Sequence, residues 1–432
     1  MIDVMFVVIS GQTDPNLIPI YSLNWSPKRI VMIYTDDDMK GNAENFKASI
    51  ESNSNKFVFE SSIVIKDPYD INEIKEKTEE RVKKYLSEGL NVVFNFSGGT
   101  KMMAIALYEV WKNNVSDKFR AIYLELFSGN LVEYKGFDQD EKIITNEHTL
   151  QIDKELSTEN KFLESYFKAR SLTFEQSPRD FKALPLSVRE QYIKKALSQD
   201  ISKSKVVHLI NRVVYNENNL EIFVRKQQEH KYAKPYKEDL FSLKEVNLIE
   251  DFLKDFDEYL TVESKEIKES GKYSVRFNYT DRDEIEKFIS GGWYEEACFN
   301  ICKGIAGDFY SGINVKIIRN GQYSSKNELD VVFVYKKRLH IIEVKTQNFF
   351  TEETKDIPKQ HIDKLINIGS DVGKNVKLCY LSYSPLAHKI VVKASESATK
   401  EQYRPKVWLI FGDKANKYDE LKRSIKNWIY NK

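Results

Sequence analysis

The sequence predicts an α/β protein in three regions, and three observations carry that prediction. Apolar strand runs alternate with amphipathic helical patterns over residues 1–145. Charge-rich helical periodicity replaces them over 150–265, and strand runs framed by helices return over 270–432. Strands alternating with helical segments form βαβ units and a parallel sheet. The first region is therefore expected to be Rossmann-like, with helices on both faces.

In the first region the strand runs are VMFVVIS (4–10), RIVMIYT (29–35), FVFESSIVI (57–65), NVVFNF (91–96) and AIYLELF (121–127). The clearest helices between them are INEIKEKTEERVKKYL (71–86) and KMMAIALYEVWK (101–112). The middle region reads as a compact helical or winged-helix-like connector, with helices at FLESYFKARS and VREQYIKKALS. Adjacent asparagines mark a turn, so VVYNENNLEIFVRK (213–226) is expected to be a β-hairpin. Lys231, Lys234 and Lys237 are either a nucleic-acid patch or a solvated loop. The last region opens with a helix over 281–305. Strands follow at 313–320, 329–336, 338–346, 376–384 and 406–412, and a helix over 418–430 closes it.

Composition sets limits. The chain has 432 residues, 41% hydrophobic and 30% charged, as in a soluble globular protein. Its 66 basic and 65 acidic residues leave a net charge of +1, so no global field draws it to nucleic acid. Three cysteines, Cys298, Cys302 and Cys379, make no disulfide framework and fit a reducing cytoplasm. Cys298 and Cys302 stand on an apolar helical segment and read as core residues. The apolar run at the start ends by Ser10 without a basic leader, so it reads as a strand and not a signal peptide. No run of apolar residues is long enough to span a membrane.

Charge interrupts the strands LDVVFVYK and RLHIIEVKT. Side chains alternate faces along a strand, so Glu343 and Lys345 point the same way. A turn around 336–338 places Asp330, at the start of the preceding antiparallel strand, opposite residues 343–345. All three charges then meet at one end of the sheet. Mg²⁺ and Mn²⁺ take carboxylate oxygens, which Asp330 and Glu343 supply, with the Val344 carbonyl as a third ligand. Such a metal acidifies a bound water and neutralises charge on a phosphate, and Lys345 would orient that water. Glu295, after a Gly-Gly-Trp on the upstream helix, could complete the shell; Glu296 points away from it. A salt bridge at a hairpin mouth is the alternative. On the helix that follows, Gln360 and Lys364 either touch substrate phosphates or form a solvated face.

This arrangement resembles the PD-(D/E)xK nuclease superfamily, the fold of many restriction enzymes. Its acidic pair and lysine correspond to Asp330, Glu343 and Lys345, although the first motif here reads ELD. The resemblance implies a metal-dependent phosphodiester hydrolase.

A second stretch, 91-NVVFNFSGGTKMMAIAL-107, ends a buried strand in a turn of small residues before a helix. Amides at a helix N-terminus form an anion site, and glycines admit a ligand closely. The spacing of a P-loop is absent; a plain strand–helix turn is the alternative. Gly11, Gln12, Thr13, Asp14 and Asn16 in the turn after the first strand, and Thr35 and Asp36 after the second, belong to the same rim. Ser128 is a further candidate there. The loop Ser97-Gly98-Gly99-Thr100-Lys101 resembles the hallmark of CARF domains, the CRISPR-associated Rossmann fold. These bind cyclic oligoadenylates at a homodimer two-fold axis. A CARF domain followed by a PD-(D/E)xK domain resembles effectors of type III CRISPR defence, nucleases activated by cyclic tetra-adenylate.

The expectation is thus a cytoplasmic, homodimeric nuclease using Mg²⁺ or Mn²⁺, switched on by cyclic tetra-adenylate and cutting DNA, RNA or both. Its domains are a sensor (1–145), a connector (150–265) and a nuclease (270–432). Two alternatives stand: an unswitched restriction-type endonuclease, and a ligand-sensing DNA-binding regulator with an inactive nuclease-like domain.

Overall fold

The computed structural model describes residues 2–11, 13–54, 56–125, 130–150, 161–170, 172–176, 181–198, 201–228, 239–306, 311–319, 327–335, 338–347, 357–372, 376–386 and 406–430. Among these, no helix is long and apolar enough to cross a membrane.

The chain begins β1 (Ile2–Val8), α1 (Asp14–Ile20), β2 (Pro27–Thr35), α2 (Asp36–Glu51), β3 (Val58–Phe59) and β4 (Ile63–Ile65). It continues α3 (Ile71–Ser87), β5 (Val92–Asn95), α4 (Lys101–Asn113), β6 (Phe119–Leu124), β7 (Asn130–Phe137) and β8 (Ile143–Thr149). The sheet runs β3-β2-β1-β5-β6-β7-β8, with β4 also on β2. From β3 to β6 every pairing is parallel, as expected. β1 and β5 are apolar on both faces because helices cover both. In α3 the stripe Ile74, Thr78, Val82, Tyr85 recurs every three or four residues and is buried, while Asp70 caps its first turn.

Three details differ from the sequence reading. The run 57–65 is two short strands on β2 and not one. The polar turn after β1 becomes helix α1, whose Leu17, Ile18 and Ile20 are fully buried. An antiparallel pair, β7 and β8, extends the sheet beyond β6.

In the middle lie α5 (Lys161–Lys168), β9 (Leu172–Gln176), α6 (Leu186–Ala196), α7 (Ile201–Gln228), α8 (Leu243–Leu253), β10 (Leu260–Ile267) and β11 (Lys272–Tyr279). The hairpin expected over 213–226 is absent; those residues lie within α7. The physical reason is helical burial: Val206, Val207, Leu209, Ile210, Val213 and Val214 form one buried face. The asparagines are tied sideways rather than turning the chain. Asn216 Nδ2 donates to the Asp239 carbonyl (3.0 Å) and Asn218 Nδ2 to Glu286 (2.9 Å). Lys231, Lys234 and Lys237 lie outside the described residues.

The chain ends with α9 (Arg282–Lys287), α10 (Trp293–Ala306), β12 (Ser311–Arg319), β13 (Asn327–Tyr335), β14 (Arg338–Lys345), α11 (Ile357–Val372), β15 (Val376–Ser382), β16 (Val407–Phe411) and α12 (Tyr418–Tyr430). The second sheet runs β16-β15-β14-β13-β12-β9, so the middle region contributes its β9 edge. One core cluster joins α1, α2 and α5 to the α11 side of this sheet; another packs α6, α7, α8, α10 and α12 on its opposite side. All three cysteines are buried and free.

Candidate active site and ligand rim

β13 and β14 form the antiparallel hairpin, from Tyr335 opposite Arg338 to Val331 opposite Ile342. Continuing that register sets Asp330 opposite Glu343, as the sequence predicts. Ile342 and Val344 pack in the α10 cluster, whereas Leu339 and Ile341 pack in the α11 cluster. Glu343 and Lys345 continue the second set, at the end where apolar contacts stop.

The three charges converge. The Lys345 ammonium lies 3.0 Å from Asp330 Oδ2 and 2.8 Å from Glu343 Oε1. The Val344 amide donates to Asp330 Oδ2 at 2.7 Å, which fixes the carboxylate against β14. Asp330 and Glu343 are buried, with 7% and 4% exposure. Burial pushes the Glu343 carboxyl above its usual range, and the Asp330 charge pushes it further. For Lys345 burial opposes the charge, but the two carboxylates outweigh it and hold the ammonium well above its ordinary value. Two carboxylates against one ammonium leave surplus negative charge in a buried place, which a further cation would relieve.

Neighbouring groups close in. Tyr380 stands in register with Glu343 on the parallel neighbour β15. Its hydroxyl is buried without a hydrogen-bond partner among the described residues, and burial pushes its pKa up. From α11, His361 sits with its ring 6.3 Å from that of Tyr380. Burial, then the Lys345 and Lys364 charges, press its imidazole down to about 4. The Lys364 charge also reaches Glu343, favouring its ionised form. Gln360 is exposed.

On α10, Glu296 is committed elsewhere, paired with Arg189 at 2.6 Å. Glu295 is buried. The Cys298 thiol, pushed up by burial and by Cys302 and Cys379, also senses both Glu295 and Asp330. Among the described residues no three His, Cys, Asp or Glu side chains gather closely enough to hold a metal. The Gly-Gly before Trp293 has a packing reason: a Cβ on Gly292 would come 2.5 Å from the Phe181 ring.

The rim of the first sheet is built around Asn95. Its amide nitrogen donates to the Pro15 carbonyl (2.8 Å) and Asn16 Oδ1 (3.1 Å). Its oxygen accepts from the Ser97 amide (3.0 Å) and hydroxyl (2.6 Å). The Leu124 amide donates to Ser97 Oγ at 2.7 Å, so this serine faces inward. Gly98 is buried where a Cβ would collide with the Val8 carbonyl, and Gly99 takes φ +86 against Val8. Thr100 caps α4, accepting from the Met103 amide at 3.2 Å. Lys101 and Gly11 are exposed, and Thr35 is half-buried. Thr13 is buried, its hydroxyl without a partner among the described residues, and Asn16 Nδ2 donates to the Val8 carbonyl at 2.7 Å. Gln12, Ser128 and the side chains of Asp14 and Asp36 lie outside the described residues. β1 has β2 on one side and β5 on the other, so strand order reverses here, where open α/β sheets bind ligands.

These features define a class: a Rossmann-type sheet with a glycine loop at its switch point, joined to a sheet whose central hairpin ends in two carboxylates and a lysine. The comparisons agree. Residues 4–154 match the family described as the Card1 CARF domain, and residues 282–398 the one described as the Card1-like endonuclease domain. The chain thus carries a Card1-type CARF domain followed by a Card1-like endonuclease domain. No curated protein matches it in sequence. Among solved structures it is similar to Can2 from Sulfobacillus thermosulfidooxidans in complex with cyclic tetra-adenylate (20% identity, 99% of this chain and 97% of that one, TM-score 0.64). It is also similar to protein VC1899 from Vibrio cholerae (17% identity, 99% and 97% coverage, TM-score 0.68). A type III CRISPR defence DNA nuclease activated by cyclic oligoadenylate matches at 13% identity over 98% of this chain and 52% of that one, TM-score 0.50.

Proposed function

We propose that this chain is a homodimeric, metal-dependent nuclease switched on by cyclic tetra-adenylate in type III CRISPR defence. The observation that carries the reading is the convergence of Asp330 and Glu343 on Lys345 at a buried sheet end. Mg²⁺ or Mn²⁺ suits the site, because two hard carboxylate donors and surplus negative charge call for such an ion. Asp330 and Glu343 would hold it, with the Val344 carbonyl or Glu295 adding a donor. Bound there, it would acidify water and screen phosphate charge. Lys345 orients the water and meets the charge that develops on phosphorus oxygens. Lys364 and Gln360 sit on the helix beside the site, suited to the nucleic-acid backbone.

At the sensor end, Asn95 pre-forms the loop from within, which leaves backbone amides and Lys101 at the start of α4 for phosphates. Gly11, Thr13, Asn16 and Thr35 would complete the rim, with Gln12 and Asp14 assigned to it from the sequence alone. A ring of four phosphates is itself symmetric, so two copies of the loop around a two-fold axis would bind one ring. A ring that bound one arrangement of the paired nuclease domains better would shift the population toward it.

The test is cleavage of labelled single-stranded RNA, single-stranded DNA and supercoiled plasmid with Mn²⁺ or Mg²⁺, with and without cyclic tetra-adenylate, beside Glu343→Ala. Cleavage that needs ligand and metal and is lost in the variant supports the reading. Cleavage without ligand removes the switch; no cleavage under any condition removes the nuclease.

A further inference from the structure

We propose that Tyr380 is a further catalytic residue, its hydroxyl donating a hydrogen bond to a non-bridging oxygen of the scissile phosphodiester beside Asp330, Glu343 and Lys345. This inference rests on the nuclease reading above. Four observations carry it.

The first is register. Glu343 pairs with Tyr380 across the parallel strands β14 and β15, and residues paired this way project from the same face. Leu378 and Tyr380 pack in the same cluster as Leu339 and Ile341, on the α11 side. The phenol therefore shares the face of the carboxylate.

The second is an unmet hydrogen bond. Tyr380 has 0% exposure, and its hydroxyl finds no partner among the described residues. Buried polar atoms are nearly always bonded. Phenylalanine would fill this place in an apolar cluster without stranding a hydroxyl, so tyrosine here points to an acceptor from outside the chain.

The third is proximity to the charged cluster without capture by it. The phenol senses the charges of Lys345, Glu343 and Asp330. Yet the charged groups bond to one another: Lys345 takes Glu343 Oε1 and Asp330 Oδ2.

The fourth is donor character. A tyrosine hydroxyl carries an O–H, so it can give a hydrogen bond to an acceptor that the substrate brings. A phosphate oxygen is an acceptor whose charge grows during in-line attack, and a fixed donor in a buried site favours that growth. No covalent bond to the hydroxyl changes.

Tyr380→Phe in the full chain tests this, because it keeps the ring and removes only the oxygen. One arm uses a Glu343→Gln background and measures binding of labelled single-stranded DNA and RNA oligonucleotides by fluorescence anisotropy. The expected result is roughly tenfold weaker binding when Tyr380→Phe is added. The other arm measures cleavage with cyclic tetra-adenylate and Mn²⁺: kcat falls about 10- to 100-fold, with the melting temperature unchanged. Sulfur in place of the contacted phosphate oxygen slows the parent enzyme but slows Tyr380→Phe no further. Unchanged binding and cleavage overturn the proposal. So does a lower melting temperature with unchanged affinity, which assigns the hydroxyl to a buried water. If the parent chain cuts nothing, the nuclease reading fails while the binding arm still decides whether Tyr380 touches the phosphate.

Discussion

The hydroxyls of Tyr21 and Ser165 meet at 2.9 Å across 144 residues of sequence. Ser165 also donates to the Ser49 carbonyl at 3.0 Å and accepts from Asn53 Nδ2 at 2.5 Å. One small side chain on α5 is thus held by the residue that ends α1, by α2 and by the loop just after α2. A few residues on, the same chain becomes β9, an edge of the second sheet. The sensor-type sheet and the nuclease-type sheet are joined through a fully buried polar knot.

That knot predicts a stability effect. Ser165→Ala strands the Tyr21 hydroxyl, which burial pushes up to about 12 and keeps protonated, while the Asn53 amide keeps the Ser49 carbonyl at 3.2 Å. Leaving buried groups unpaired costs about 1–3 kcal/mol. Urea denaturation should show this loss, and Tyr21→Phe with Ser165→Ala should lose less than the sum of the two.

Gly98 and Lys101 separate loop building from ligand binding. Gly98→Ala places a methyl against the Val8 carbonyl, so the loop must shift. The expected result is a lower melting temperature and loss of cyclic tetra-adenylate binding by calorimetry. Lys101 is exposed, so Lys101→Ala should melt like the parent yet bind the ring about tenfold more weakly, as lost phosphate contacts do. Equal affinity in Lys101→Ala would remove this lysine from the ligand site.

Lys345→Met tests the electrostatics of the cluster. Without the ammonium, two buried carboxylates face each other, and removing one partner of a buried pair costs about 3–5 kcal/mol. The Glu343 pKa is already raised and rises further in the variant. A carboxyl with a raised folded-state pKa adds stability below its unfolded pKa and loses it as pH rises through the folded one. The deficit against the parent should therefore be large at pH 8 and shrink toward pH 5. Mn²⁺ should raise the melting temperature of the parent by mass action and leave Asp330→Asn unmoved.

Much of this was legible in one dimension. Asp330, Glu343 and Lys345 could be placed because strand alternation and a short turn convert sequence spacing directly into register. The parallel strands were legible because a strand covered on both faces carries no polar alternation. Tyr380 was not, because it meets Glu343 across a parallel crossover whose register no local pattern encodes. Its only trace is a hydroxyl in the apolar run VKLCYLS. Ser97 and Thr100 fitted ligand chemistry, yet both hydroxyls bond within the chain. Residues 213–226 misled because Asn-Asn favours turns locally, while the buried stripe that decides for a helix begins upstream at Val206.

The last prediction concerns acid. His340 is buried to 1% exposure, stacked on Phe333 at 4.8 Å and edge-on to Trp428 at 5.3 Å. Its Nδ1–H donates to the Arg338 carbonyl at 2.8 Å. Burial first, then the Lys377 and Arg338 charges, press its pKa down to about 3. The unfolded chain takes up this proton near about 6.5. Between those values the unfolded state holds more protons, so stability falls as pH drops, at up to about 1.4 kcal/mol per pH unit. Glu343, with its raised pKa, works in the opposite direction, so the total slope mixes both. His340→Phe isolates the imidazole: it keeps a ring in the stack and removes the titration. Chemical denaturation from pH 7 to pH 4 should show the parent losing stability more steeply than His340→Phe. Parallel curves would mean that His340 binds its proton as readily in the folded chain as in the unfolded one, so that burial does not depress it.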